Sequence, residues 1–160
     1  MIIIVMGVSG SGKTTIGKML AESLHWDFHD ADSFHSPDNI EKMRRGIPLD
    51  DNDRIPWLQS LQIAITNWLQ EKRNVVLACS ALKASYRQFL VLDSDVKLVY
   101  LQGTFELIQT RLQKRENHFM NIDLLTSQFA SLEEPDNVIL VDISQSPQVI
   151  VEVIRKVIGI

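Results

Sequence analysis

Ile2-Ile3-Ile4-Val5-Met6, followed without interruption by Gly7-Val8-Ser9-Gly10-Ser11-Gly12-Lys13-Thr14, is the stretch that decides the fold. A short, continuous apolar run is the pattern of a strand covered on both faces. The next eight residues fit the spacing G-x-x-x-x-G-K-[ST]. Ile16, Leu20 and Leu24 then recur every four residues, which predicts a helix over 14–24. Strand, glycine-rich turn and helix in that order make a phosphate cradle. Glycines allow backbone angles that aim successive N–H groups at one point, and the helix start adds unpaired donors and partial positive charge. Gly7, Val8, Ser9, Gly10, Ser11, Gly12, Lys13 and Thr14 are therefore expected to hold a nucleoside triphosphate. Lys13 would reach the β- and γ-phosphates, and the Thr14 hydroxyl would ligate Mg2+.

Working outward, apolar runs at 26–29, 75–79, 97–101 and 138–143 bring the strands to five, and helical patterns separate them. The expected fold is α/β, a three-layer sandwich of P-loop kinase type: a five-stranded parallel sheet, helices on both faces and a helical lid. Asp53 reads as an N-cap with Pro56 in the first turn, opening a helix whose Leu58, Leu61, Ile65 and Trp68 form one stripe. Ile150, Val153, Ile154, Val157 and Ile158 mark the last helix, which Gly159 stops. No repeat or linker divides the chain, so a single domain over 1–160 is expected. Two polar stretches break the alternation. Residues 33–54 hold at most one short helix, near 39–45, and read as a substrate flap. Residues 106–133 are helical and rich in basic and polar groups, and read as a lid.

Bulk properties narrow the function. Of 160 residues, 45% are hydrophobic and 22% charged, the balance of a globular domain. A net charge of -4 leaves no broad basic face for nucleic acid, so an anionic substrate needs a local cluster of cations. Cys79 is the only cysteine, which forbids an internal disulfide and suits a reducing compartment. The apolar start at 1–6 is too short for a signal peptide, and no apolar run approaches a membrane span. A cytoplasmic protein is expected. Cys79, Trp26, Trp57 and Trp68 read most simply as core, and the four histidines lack metal-ligand spacing.

Many phosphate-loop proteins place an acid at the end of a central strand to hold Mg2+. Here 75–79 runs into Ser80, and no Asn-Lys-x-Asp segment for reading guanine is present. The acids appear instead as Asp30-Ala31-Asp32 after the second strand. That placement suits a small-molecule kinase, with Asp30 on the metal side and Asp32 at the acceptor hydroxyl.

Block after block then resembles the gluconokinase family, over nearly the whole chain. The blocks are Met6 to Lys13; Asp30-Ala31-Asp32-Ser33-Phe34-His35; Asn39-Ile40-Glu41-Lys42-Met43; and Gly46-Ile47-Pro48-Leu49. They continue with Asp51-Asn52-Asp53-Arg54 before Pro56-Trp57-Leu58, Cys79-Ser80-Ala81-Leu82-Lys83 with Tyr86-Arg87, His118-Phe119-Met120, and Gln128-Phe129 through Leu132-Glu133 to Pro135. Shikimate kinase shares the fold and the Asp-x-Asp idea but not the later blocks. The resemblance implies transfer of the ATP γ-phosphate to D-gluconate, with no nucleic-acid or membrane partner, and suggests a homodimer. It implies Asp32 as base; His35, Lys42, Arg54, Lys83, Arg87 and His118 as substrate contacts; and Arg111 and Arg115 as lid arginines closing on the triphosphate. Forked guanidinium donors suit a carboxylate or phosphate, and lysines offer point charges. Asn117 stands where the family usually has Gly, although Asn tolerates positive φ better than most residues. A kinase of another hydroxy acid or sugar is the alternative; a nucleotide-binding regulator without acceptor chemistry is a third.

Overall fold

The five residues of β1 (Ile2–Met6) have no solvent exposure, because both faces are covered. Ile3 and Val5 belong to one apolar cluster, and Ile2, Ile4 and Met6 to another. The computed structural model describes residues 1–114 and 122–160. In chain order, β1 is followed by α1 (Lys13–Leu24), β2 (Asp27–Asp30), a 3-10 turn (Ala31–Phe34), α2 (Pro37–Arg44) and α3 (Asp51–Gln70). Then come β3 (Val75–Ala78), α4 (Ala84–Leu90), β4 (Val96–Gln102), α5 (Phe105–Gln113), α6 (Ile122–Ser131), β5 (Ile139–Asp142) and α7 (Pro147–Ile158). All strands pair in parallel, in the order β2-β3-β1-β4-β5.

The layers follow from which face each helix buries. Ile16 and Leu20 of α1, Ile108 of α5, Leu125 of α6 and Ile154 of α7 pack with Ile3 and Val5. Leu61 and Ile65 of α3 and Leu90 of α4 pack on the opposite side with Ile2 and Ile4. This is the expected three-layer α/β sandwich. Each fully buried leucine contributes about 1.5–3 kcal/mol, and truncating one such as Leu20 costs about 2–5 kcal/mol. Because β1 has β3 on one side and β4 on the other, the chain reverses direction of growth at β1. The carboxyl ends of β1, β2 and β3 open together onto the crevice where parallel sheets bind ligands. Among the described residues no helix is long and apolar enough to cross a membrane.

Local boundaries depart from the expectations in instructive ways. The cap of α3 is Asp50, not Asp53. Asp50 has extended backbone and accepts from the Asp53 N–H at 2.7 Å, while the Asp53 carboxylate accepts from the Asp50 N–H at 3.0 Å. This reciprocal box satisfies two orphan donors, which a cap three residues later could not match. Pro56 therefore sits inside the helix, where it forgoes one backbone bond. The short flap helix is α2, from Pro37, and the described residues of the basic stretch form helices α5 and α6. Arg115, Asn117 and His118 lie outside the described residues.

Candidate active site

Most helices here begin with a side-chain cap: Ser36 on α2, Asp50 on α3, Thr104 on α5 and Ser146 on α7. α1 does not. Its N-cap is Gly12, with no capping side chain and no acid in the first turn. The first N–H groups of α1 are thus left as donors for an anion. Gly10 and Gly12 take φ of 81° and 98°, angles costly for any other residue type. The turn is also tightly seated, since a Cβ on Gly10 would stand 2.8 Å from Leu112 of α5. Val8 is buried, and the Ser11 side chain lies beneath Gly7, so these two offer backbone to a ligand. Lys13 donates to the carbonyls of Gly7 at 2.9 Å and Val8 at 3.0 Å, which lays its ammonium along the loop.

Asp30 ends β2 and turns toward this loop. One oxygen accepts from the Asp32 N–H at 2.9 Å and the other from the Thr14 hydroxyl at 3.3 Å. A hydroxyl and a carboxylate side by side are hard oxygen donors suited to Mg2+, which takes few protein ligands and completes its shell with phosphate and water. Trp57 of α3 fixes the turn from behind, its indole N–H donating to the Ala31 carbonyl at 2.7 Å. Asp32 opens into a cleft of about 760 Å3, bounded by the loop, the flap, the end of β3 and α6. Enclosure by the cleft walls raises the Asp32 pKa, the Asp30 charge raises it further, and Lys13 opposes. An aspartate held near Lys13 but tuned upward is a fitting proton acceptor.

His35 and Arg54 line the same cleft. His35 stacks on Trp57, ring centroids 4.4 Å apart, with Nδ1 3.2 Å from Asn39 Nδ2. Burial, with the Arg54 charge adding, pushes its pKa down to about 4. The ring is neutral at pH 7 and offers hydrogen bonds without charge. Arg54 donates to the Leu49 carbonyl at 2.6 Å and to the Tyr86 hydroxyl at 3.3 Å, and its guanidinium lies 5.5 Å over the Tyr86 ring.

Among the described residues, the other expected contacts do not line this cleft. Lys42 pairs with Asp53 at 2.9 Å, across the start of α3. Lys83 pairs with Asp51 at 3.0 Å, beside Tyr86. Arg87 donates to the carbonyls of Ala81, Leu82 and Glu133, tying α4 to the chain after α6. Arg111 donates to the Ile143 carbonyl beyond β5. Cys79 is buried at the cleft floor, where desolvation pushes its thiol up to about 12, far from reactive. Three contributors were not read as site residues: Trp57, Tyr86 and Gln128. Gln128 accepts from the Ser9 N–H at 2.7 Å. A polar residue three after Leu125 and one before Phe129 on an apolar helix was the available signal.

Known proteins share this architecture and more. A family profile described as shikimate kinase matches residues 9–158. A gluconokinase of Arabidopsis thaliana is 45% identical, covering 99% of this chain and 92% of that protein. The thermoresistant gluconokinase of Escherichia coli (strain K12) is 41% identical, covering 97% of this chain and 94% of that one. The crystal structure of a gluconokinase from Sinorhizobium meliloti 1021 superposes with a TM-score of 0.84 at 41% identity, covering 94% of this chain and 87% of that chain.

Proposed function

The chain belongs to the shikimate kinase family and, within it, to the gluconokinases, and on that premise we propose that it phosphorylates D-gluconate with ATP, giving 6-phospho-D-gluconate and ADP. The observation that carries the reading is the meeting of an uncapped α1 N-terminus, Asp32 and Arg54 on one cleft. A carboxylate-bearing polyol needs both a cation and a proton acceptor, and the cleft is lined by one of each.

The mechanism follows from those groups. Backbone N–H groups of the loop and Lys13 bind the phosphates and offset the charge spread over the transferring group. Thr14 and Asp30 would hold Mg2+, which supplies further charge neutralisation at the β- and γ-phosphates. Arg54 binds the gluconate carboxylate, and neutral His35 bonds a hydroxyl. That orientation brings the terminal hydroxyl to Asp32, which takes its proton as the oxygen attacks phosphorus. ADP leaves, and Asp32 returns its proton to solvent. Positioning and charge stabilisation dominate the rate, and the base adds about 10²–10⁴-fold. In this geometry Lys42, Lys83 and Arg87 serve as struts of the site. Arg111, Arg115 and His118 are assigned to the lid over 106–133 within a single domain, by the gluconokinase resemblance. The same resemblance supports a cytoplasmic homodimer.

Coupling product formation to 6-phosphogluconate dehydrogenase tests the reading. Gluconate-dependent turnover with Mg·ATP is expected. ATP hydrolysis indifferent to gluconate would sink it.

A further inference from the structure

α6 is held on its inner side by Leu125, which is 1% exposed, and by Phe129, whose ring meets Phe105 of α5 edge-on at 5.3 Å. Four residues apart, these two define the buried stripe of the helix. Gln128 lies beside that stripe and emerges at the cleft wall. Its carboxamide makes a two-point contact with a single residue of the phosphate loop. Oε1 accepts from the Ser9 N–H at 2.7 Å, and Nε2 donates to Ser9 Oγ at 3.0 Å. Two bonds to one residue fix rotation as well as distance. Beneath the same loop, Gly10 sits against Leu112 and Ile108 of α5. The loop is thus gripped from one side by packing and from the other by a polar clamp 119 residues away in sequence.

We propose that Gln128 is a positioning residue for phosphoryl transfer: its carboxamide clamps Ser9 and so sets the phosphate loop and the α6 wall of the acceptor cleft in one register. The proposal rests on the kinase reading given above. The bound triphosphate engages the loop, while the acceptor sits against a wall that includes α6. A clamp between the two governs the approach of hydroxyl to phosphorus, a distance to which the rate is steeply sensitive. It has little effect on the affinity of either substrate taken alone. A loss confined to kcat is the signature of an interaction realised in the transition state.

Gln128→Met keeps the length of the side chain and removes both hydrogen bonds. A fall of about tenfold in kcat is expected, with KM for gluconate and for ATP within about twofold of the parent. Ser9→Ala removes only the Oγ contact and is expected to lower kcat about threefold. Because the hydroxyl acts through Gln128, the double variant should be no slower than Gln128→Met alone. Amide hydrogen exchange at Ser9 and Gly10, measured without substrates, should be faster in Gln128→Met. Parental kcat in Gln128→Met, multiplicative losses in the double variant, or unchanged exchange at Ser9 each overturn the proposal. A parent inactive toward gluconate would defeat the kinase reading instead, and the exchange measurement would still decide whether the clamp exists.

Discussion

Replacing Trp57 by Phe removes one hydrogen bond that reaches the Asp30-Ala31-Asp32 turn. The indole N–H donates to the carbonyl of Ala31, the residue between Asp30 and Asp32, at 2.7 Å, and Trp57 and Ala31 are 3% and 1% exposed. Phenylalanine keeps a ring to stack on His35 but has no donor, so the carbonyl is stranded away from water. An orphaned buried acceptor costs about 1–3 kcal/mol, and the missing ring atoms add about 1 kcal/mol of lost packing. The sum, about 2–4 kcal/mol, lowers Tm by roughly 5–12 °C in a chain of this size. Trp68→Phe is the control. Trp68 is 6% exposed and stacks on His29 at 4.8 Å, so its truncation loses packing without touching the turn. Urea unfolding followed by circular dichroism should separate the two variants by the cost of the bond. In Trp57→Phe, kcat should fall as Asp32 loses its anchor, with KM for ATP unchanged. Equal stability of the two variants, with parental kcat in Trp57→Phe, would refute the reasoning.

Other perturbations probe the remaining parts. Asp32→Asn should lower kcat by about 10²–10⁴-fold while Mg·ATP still binds by calorimetry. Because cleft enclosure and Asp30 raise the Asp32 pKa, the acid limb of the parent's kcat/KM profile should lie above the ordinary carboxylate value of about 3.9; a limb at or below that value speaks against Asp32 as the base. His35 is held down to about 4 from 6.5, so the unfolded chain takes the proton first. Its stabilising contribution is complete above pH 6.5 and is lost as pH falls toward 4. Allowing for partial solvent screening, the parent should lose about 1 kcal/mol between pH 7.5 and 5 that His35→Phe does not. Arg54→Lys should raise KM for gluconate about tenfold or more by losing the forked donor. Arg87→Lys should instead lower Tm, because Arg87 is committed to three backbone carbonyls; a KM change in Arg87→Lys with unaltered Tm would reverse those roles.

The parts of this account that were legible in the chain are those with local causes. The phosphate loop needs eight consecutive residues, and the alternation of apolar runs with helical periods dictates a parallel sheet whatever the partners. The Asp30-Ala31-Asp32 turn was readable because it directly follows a strand. Longer-range choices were not. The run Asp50-Asp51-Asn52-Asp53 offers four candidate caps, and only the reciprocal bonds of Asp50 and Asp53 select one. Lys42, Lys83 and Arg87 look like free cations in sequence, yet Asp53, Asp51 and three carbonyls claim them in space. Those partners lie 11, 32 and, for Arg87 and Ala81, 6 residues away. Gln128 and Trp57 escaped for the same reason, since polar pairing across the fold has no periodicity to betray it.

One measurement bears most directly on the central claim: an acceptor panel with Mg·ATP comprising gluconate, other aldonates, shikimate, and glucose as an uncharged polyol. The account predicts turnover of gluconate, its abolition in Lys13→Ala, and negligible turnover of glucose, which gives Arg54 nothing to hold. Turnover of glucose as fast as gluconate, or of no acceptor at all, would contradict it.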